Sequence, residues 1–182
     1  MSYQVFPAIN TVAGRWPRID GVMRFAAVQL IFVVLAVAGV LVVHALVRRQ
    51  IRRVTCFGGA LLLAFGLSRG LERLSRVARP VQSHAVHQLV TQAPGVSMPS
   101  DHATAAFAVA LGTLLFLDRR AGLALTAAAL LIAVARGRAG LDYPGDILAG
   151  AAIGGLSAFS VYVIDLGARD VQRRTSLGHR LS

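Results

Sequence analysis

Five apolar runs organise the chain: residues 22–47, 54–67, 103–117, 121–135 and 147–166. A membrane-crossing helix takes about 20 mostly apolar residues, or about 17 at the short end. The first and last runs meet that length alone. The middle three are short, so their Ser, Arg and Gly flanks are expected to extend the helices. The pattern predicts an all-α, polytopic membrane bundle of about five spans. Ahead of it, residues 3–20 mix Phe6, Ile9, Val12, Trp16 and Ile19 with Arg15 and Arg18. That mixture suits an interfacial helix, with a disordered lead-in as the alternative. The expected division is a lead-in over 1–21, a bundle over 22–166 and a basic cytoplasmic tail over 167–182. The first apolar run begins too late and is too long for a cleaved signal peptide.

Composition agrees with one integral membrane domain. Of 182 residues, 55% are hydrophobic and 15% charged, with a mean hydropathy of +0.64. The net charge is +11, and all 19 basic residues are Arg. A basic balance can signal nucleic acid, but here the charges flank apolar runs, and the interleaved aromatics of single-strand binders are missing. Nucleic acid is therefore not an expected partner. Arg favours planar, bidentate recognition of phosphate. Cys56 is the lone cysteine, so no intrachain disulfide is possible, and its apolar setting suggests a small buried thiol.

Arg placement sets the topology. Arg48, Arg49, Arg52 and Arg53 join the first two spans, and Arg119 and Arg120 join the third and fourth. Arg169, Arg173, Arg174 and Arg180 follow the fifth. Five spans put all three groups on one side, which the positive-inside rule makes cytoplasmic. Segments 69–102 and 136–146 then share the opposite, extracytoplasmic face. That face also carries Arg69, Arg73, Arg76, Arg79, Arg136 and Arg138. Anion binding is the expected reason for this excess. Gly150 and Gly154 form a G-x-x-x-G on the last span, read as close packing within the chain before dimerisation.

Three segments of that face carry candidate chemistry. Arg79-Pro80 ends a helix with a guanidinium near the interface; alone it is a weak signal, since most such Arg residues snorkel. In Pro99-Ser100-Asp101-His102, Ser100 is placed to cap the third span, with Asp101 in its first turn. A helix N-terminus offers N–H groups and a positive dipole end to an anion, and His102 can act as a general acid. The bland reading is a capped helix with an interfacial His. In the third segment, Arg136 is followed after five residues by Asp142 and after three more by Asp146, which opens the last span behind Pro144.

Together these segments resemble the type 2 phosphatidic-acid phosphatase (PAP2) superfamily, in particular its bacterial undecaprenyl-diphosphate phosphatases of the BcrC type. The resemblance covers residues 79–146 at motif level, and the span order fits over most of the chain. It implies a PAP2 core with a re-entrant hairpin between spans two and three. It also implies that Arg79, Ser100 and Arg136 bind phosphate and that His102 is the acid. In that pattern Asp146 would orient a nucleophilic His, but the His position holds Asp142. A Lys expected seven positions before Arg-Pro is Glu72, with Arg73 the candidate replacement.

Asp142 leaves three possibilities: nucleophile forming an acyl phosphate, base acting on water, or loss of hydrolysis. The family mechanism needs no metal, but Asp142 makes Mg²⁺ conceivable, with Asp101, Asp142 and Asp146 as oxygen ligands. His84 and His87 are substitute nucleophiles or a polar helix face. The implied function is hydrolysis of a polyprenyl diphosphate or related lipid phosphate at the outer face of the bacterial cytoplasmic membrane. The alternatives are a prenyl-diphosphate cyclase or transferase using carboxylate-held Mg²⁺, and a non-hydrolytic lipid-phosphate binding protein.

Overall fold

The computed structural model describes residues 16–75, 80, 89–90 and 96–181, with side chains described through residue 172. No strand forms among them. The helices, in chain order, are α1 (Pro17–Val28), α2 (Leu30–Val47), α3 (Ile51–Leu74), α4 (Asp101–Gly112, continued by a π turn over Thr113–Leu117), α5 (Arg119–Arg138) and α6 (Pro144–Leu181). Four are long and apolar enough to cross a membrane: α2, α3, α5 and the Pro144–Gln172 part of α6. The expected third span, α4 with its π turn, is shorter.

The expected first span, 22–47, is two helices. Gln29 breaks the run, and its N–H bonds back to the Phe25 carbonyl at 2.8 Å. The two helices differ in charge. Arg18, Asp20 and Arg24 lie on α1, whereas α2 carries no Asp, Glu or Arg and is apolar enough to span. Pro at its first turn starts α1, and the Asp20 carboxylate accepts the Trp16 N–H at 3.3 Å. Ala26 and Ala27 then pack on Ala135, Ala139 and Leu141 at the end of α5. Residues 3–15 of the expected interfacial lead-in lie outside the described residues. The lead-in's end at 16–20 caps and opens α1.

The middle spans extend beyond their apolar runs, as expected. Within α3, Arg52 and Arg53 lie at the start and Ser68–Leu74 at the end. Asp118 caps α5 by accepting the Ala121 N–H at 2.7 Å. The last span and the tail form one helix of 38 residues. At 1.5 Å per residue it is about 57 Å long, against a hydrocarbon core of about 30 Å.

α4 is the central helix, touching α2, α3, α5 and α6. Its buried residues are nearly all small: Ala103, Thr104, Ala106, Ala108, Val109, Ala110 and Gly112. Small residues let membrane helices approach closely, where dispersion must replace the hydrophobic effect. Gly150 and Gly154 of α6 exploit this. A Cβ on Gly150 would lie 2.6 Å from the Ser100 carbonyl oxygen, and one on Gly154 would lie 2.6 Å from that of Thr104. The G-x-x-x-G is thus an intrachain packing device. Phe32, Val40, Leu62, Leu148 and Ile164 are left exposed on the outside, as a bilayer-facing surface requires.

The helices alternate so that the ends of α3 and α5 meet the beginnings of α4 and α6. At the opposite end, buried Asp165 of α6 is paired with Arg52 at 2.7 Å and Arg169 at 2.5 Å. The Cys56 thiol donates to the same carboxylate at 3.4 Å. Cys56 is therefore half-buried in a polar contact, not the apolar setting its sequence context suggested.

Candidate active site

Four residues predicted from the sequence converge where α4 and α6 begin and α5 ends. Ser100 caps α4, its Oγ accepting the Ala103 N–H at 3.3 Å. The Ser100 N–H donates to the Asp146 carbonyl at 3.0 Å, which ties the two helix starts together. Arg136 lies in the last turn of α5, and Asp142 in the turn to α6. Gly140 makes that turn with φ 74°, a left-handed conformation that suits glycine.

Asp142 is gripped on both carboxylate oxygens. Arg136 donates to it in a fork, Nε to Oδ2 and Nη2 to Oδ1 at 3.1 Å. The Ser100 hydroxyl also donates to Oδ2, at 2.6 Å. The remaining Arg136 nitrogen, Nη1, reaches the Ala27 carbonyl of α1 at 3.2 Å. Ser100, Asp142 and Arg136 are only 1%, 2% and 3% exposed. A forked Arg–carboxylate pair is the strong form of a charge-assisted hydrogen bond. Buried, it also means that removing one partner strands the other's charge, a cost of about 3–5 kcal/mol.

Asp146 is buried too, but it faces elsewhere. Its Oδ2 accepts the Ser97 hydroxyl and, at 3.2 Å, the Tyr143 N–H. Among the described residues the Asp142 carboxylate is held by Arg136 and Ser100, and that of Asp146 by Ser97 and the Tyr143 N–H. The sequence did not single out Ser97. A serine two residues before a proline is common, and nothing in its spacing marks it as a carboxylate's partner.

The other candidates are placed as follows. His102 is half-buried in the first turn of α4, and Asp101 beside it is exposed. Arg73 is exposed in the last turn of α3, and among the described residues its side chain is not joined to the Ser100–Arg136–Asp142 group by an ion pair. Arg79, His84 and His87 lie outside the described residues. Two arginines of this end also have partners within the chain: Arg138 pairs with Asp20 at 3.0 Å and Arg69 with Glu72 at 2.6 Å. The excess of positive charge is therefore partly balanced within the chain.

The three carboxylates considered as Mg²⁺ ligands are not gathered into one cluster. Among the described residues no group of three or more His, Cys, Asp or Glu side chains is arranged to hold one. Asp142 is taken up by Arg136 and Ser100, Asp146 by Ser97 and Tyr143, and Asp101 is exposed. Beside Ser100 runs a groove of about 340 Å³ with apolar walls that include Leu35, Leu61, Phe65 and Val109. Ser68, Arg69, Asp101 and Thr104 also line it.

A membrane helix bundle with an Arg–Ser oxyanion grip where two helices begin defines a class, and sequence comparison agrees with it. Residues 53–169 match the PAP2 superfamily, so the chain belongs to that superfamily and is a membrane phosphatase of the lipid-phosphatase class. A relative is undecaprenyl-diphosphatase BcrC of Bacillus subtilis (strain 168), 30% identical over 149 residues, which cover 81% of this chain and 76% of the relative. Two solved structures share the fold. Aquifex aeolicus LpxE superposes with a TM-score of 0.72 at 24% identity, covering 87% of this chain and 93% of that one. A transmembrane PAP2-type phosphatidylglycerolphosphate phosphatase from Bacillus subtilis gives 0.65 at 20% identity, covering 91% and 86%.

Proposed function

We propose that the protein hydrolyses a polyprenyl diphosphate of the undecaprenyl type, releasing inorganic phosphate and leaving the lipid monophosphate. The observation that carries this reading is the forked Arg136 and the Ser100 hydroxyl at the α4 N-terminus, beside an apolar groove. The donors suit a phosphate and the groove suits a hydrocarbon chain. The reading is strengthened by the 30% identity to an undecaprenyl-diphosphatase.

In the proposed reaction Arg136, Ser100 and the nearby N–H groups hold the terminal phosphate, assisted by Arg79 and Arg73. His102 protonates the bridging oxygen as the P–O bond to the leaving lipid phosphate breaks. A water molecule attacks phosphorus and gives its proton to Asp142. A weak base suffices for this step, because phosphoryl transfer passes through a loose transition state that asks more of positioning than of deprotonation. Asp146, held by Ser97, fixes the start of α6 and tunes the site. The placement of the carboxylates favours base over acyl-phosphate chemistry, since the latter usually recruits a metal. The same placement weighs against a cyclase that relies on carboxylate-held Mg²⁺. The site faces the extracytoplasmic side of a bacterial cytoplasmic membrane.

The test is phosphate release from undecaprenyl and farnesyl diphosphate by detergent-solubilised protein, with and without chelator. Release that survives chelation is expected. A metal-dependent hydrocarbon or alcohol product, or no product at all, would overturn the reading.

A further inference from the structure

The group that fills the oxyanion grip in this structure is the protein's own. Arg136 offers two parallel N–H donors and Ser100 a hydroxyl. The Ser100 acceptor side is already taken by the Ala103 N–H at 3.3 Å, so its proton is directed at Asp142. This donor set recognises a planar pair of anionic oxygens, and two oxygens of a phosphate present the same pair. Asp142 meets it with Oδ2 held by Nε and the hydroxyl, and Oδ1 held by Nη2. With Nη1 on the Ala27 carbonyl, every terminal nitrogen of Arg136 and its Nε are engaged. The grip is closed from solvent as well, since its three residues are at most 3% exposed. A phosphate can use these donors only if the carboxylate leaves them. Asp142 rides on the five-residue turn between α5 and α6, next to the left-handed Gly140, not on a helix.

We propose that the Asp142 carboxylate is the resting occupant of the phosphate grip, and that a phosphate group binds by displacing it. The proposal rests on reading this end of the bundle as the substrate's phosphate site. Displacement frees Asp142 from Arg136 and Ser100 at the moment phosphate takes them, and so supplies the unpaired carboxylate that the proposed water attack requires. An internal anion lowers the apparent affinity for an external one in proportion to the fraction of time the grip is open.

The test is binding of inorganic phosphate to the full-length protein in detergent, read as a shift of the thermal unfolding midpoint. The wild type, Asp142→Ala, Asp142→Asn and the double variant Arg136→Ala/Asp142→Ala are compared. Asp142→Ala is expected to bind phosphate about tenfold to hundredfold more tightly than the wild type, and the double variant to lose that gain. Should Asp142→Ala fold only in the presence of phosphate, that rescue supports the proposal. Should it not fold at all, Asp142→Asn, which keeps the shape and removes the charge, carries the same expectation. Wild-type affinity equal to that of the Asp142 variants, or a gain that persists without Arg136, overturns the proposal.

Turnover of lipid diphosphate is scored separately. Tighter phosphate binding by Asp142→Ala with no wild-type turnover upholds the internal occupant and removes the phosphatase reading. Wild-type turnover with no gain in binding does the reverse.

Discussion

At residue scale the site depends on which oxygen each donor reaches. Asp142→His removes the carboxylate from the grip and places an imidazole where the resemblance puts the nucleophile. Phosphate release from lipid diphosphate should rise by at least about tenfold, within the range a positioned catalytic group supplies. A fall in kcat would mean that the carboxylate has no substitute. Ser97→Ala leaves Asp146 with the Tyr143 N–H alone. Loss of a hydrogen bond to a charged group should cost about 1.5–3 kcal/mol, seen as a lower unfolding midpoint together with reduced turnover. Ser97→Thr, which keeps the hydroxyl, should restore both.

The individual site residues were legible because each carries a local rule: Ser100 as an N-cap, Arg136 ending a helix, Asp146 in a first turn. Their pairing was less so. Arg136 and Asp142 are six apart, a spacing that neither a helix nor a strand brings together. Opposite charges flanking a turn with Gly140 were the available hint.

At element scale, the packing of α4 on α6 decides whether the site forms, since both helices begin in it. Gly154→Leu must push a side chain into the α4 backbone and should destabilise the protein by about 1–3 kcal/mol or more. Gly66→Leu is the control: a Cβ there meets nothing within 4 Å, and its unfolding midpoint should stay near wild type. The helices themselves were readable from the apolar runs, because bilayer thickness sets a minimum length that composition reveals directly. The break at Gln29 was not, since a single polar residue inside a long apolar run does not stop a helix by propensity. It is packing of Ala26 and Ala27 on α5 that holds α1 to the bundle. The partners of Asp165 were not legible either: an acid at the end of an apolar run usually has a partner, and Arg52, far away in sequence, supplies it together with Arg169.

At the scale of the whole molecule, the two ends of the bundle divide the charge. Arg52, Arg53, Arg119 and Arg169 cluster with Asp118 and Asp165 at one end, and the Ser100–Arg136–Asp142 grip lies at the other. The proposed orientation puts the first end in the cytoplasm. In a Cys56→Ala background, Ser75→Cys should be labelled by a membrane-impermeant maleimide on intact cells, and Gln50→Cys only after lysis. The opposite pattern would invert the topology and place substrate hydrolysis inside.

The contact between the Arg136 Nη1 and the Ala27 carbonyl has a spectroscopic consequence. It ties the end of α1 to the guanidinium that holds Asp142, and α1 begins beside Trp16, the chain's single tryptophan, which is 60% exposed. Should exchange of Asp142 for phosphate on Arg136 shift α1, Trp16 emission is expected to change on titration with inorganic phosphate in the wild type and not in Arg136→Ala; an unchanged wild-type spectrum would show that the contact does not reach the far end of α1.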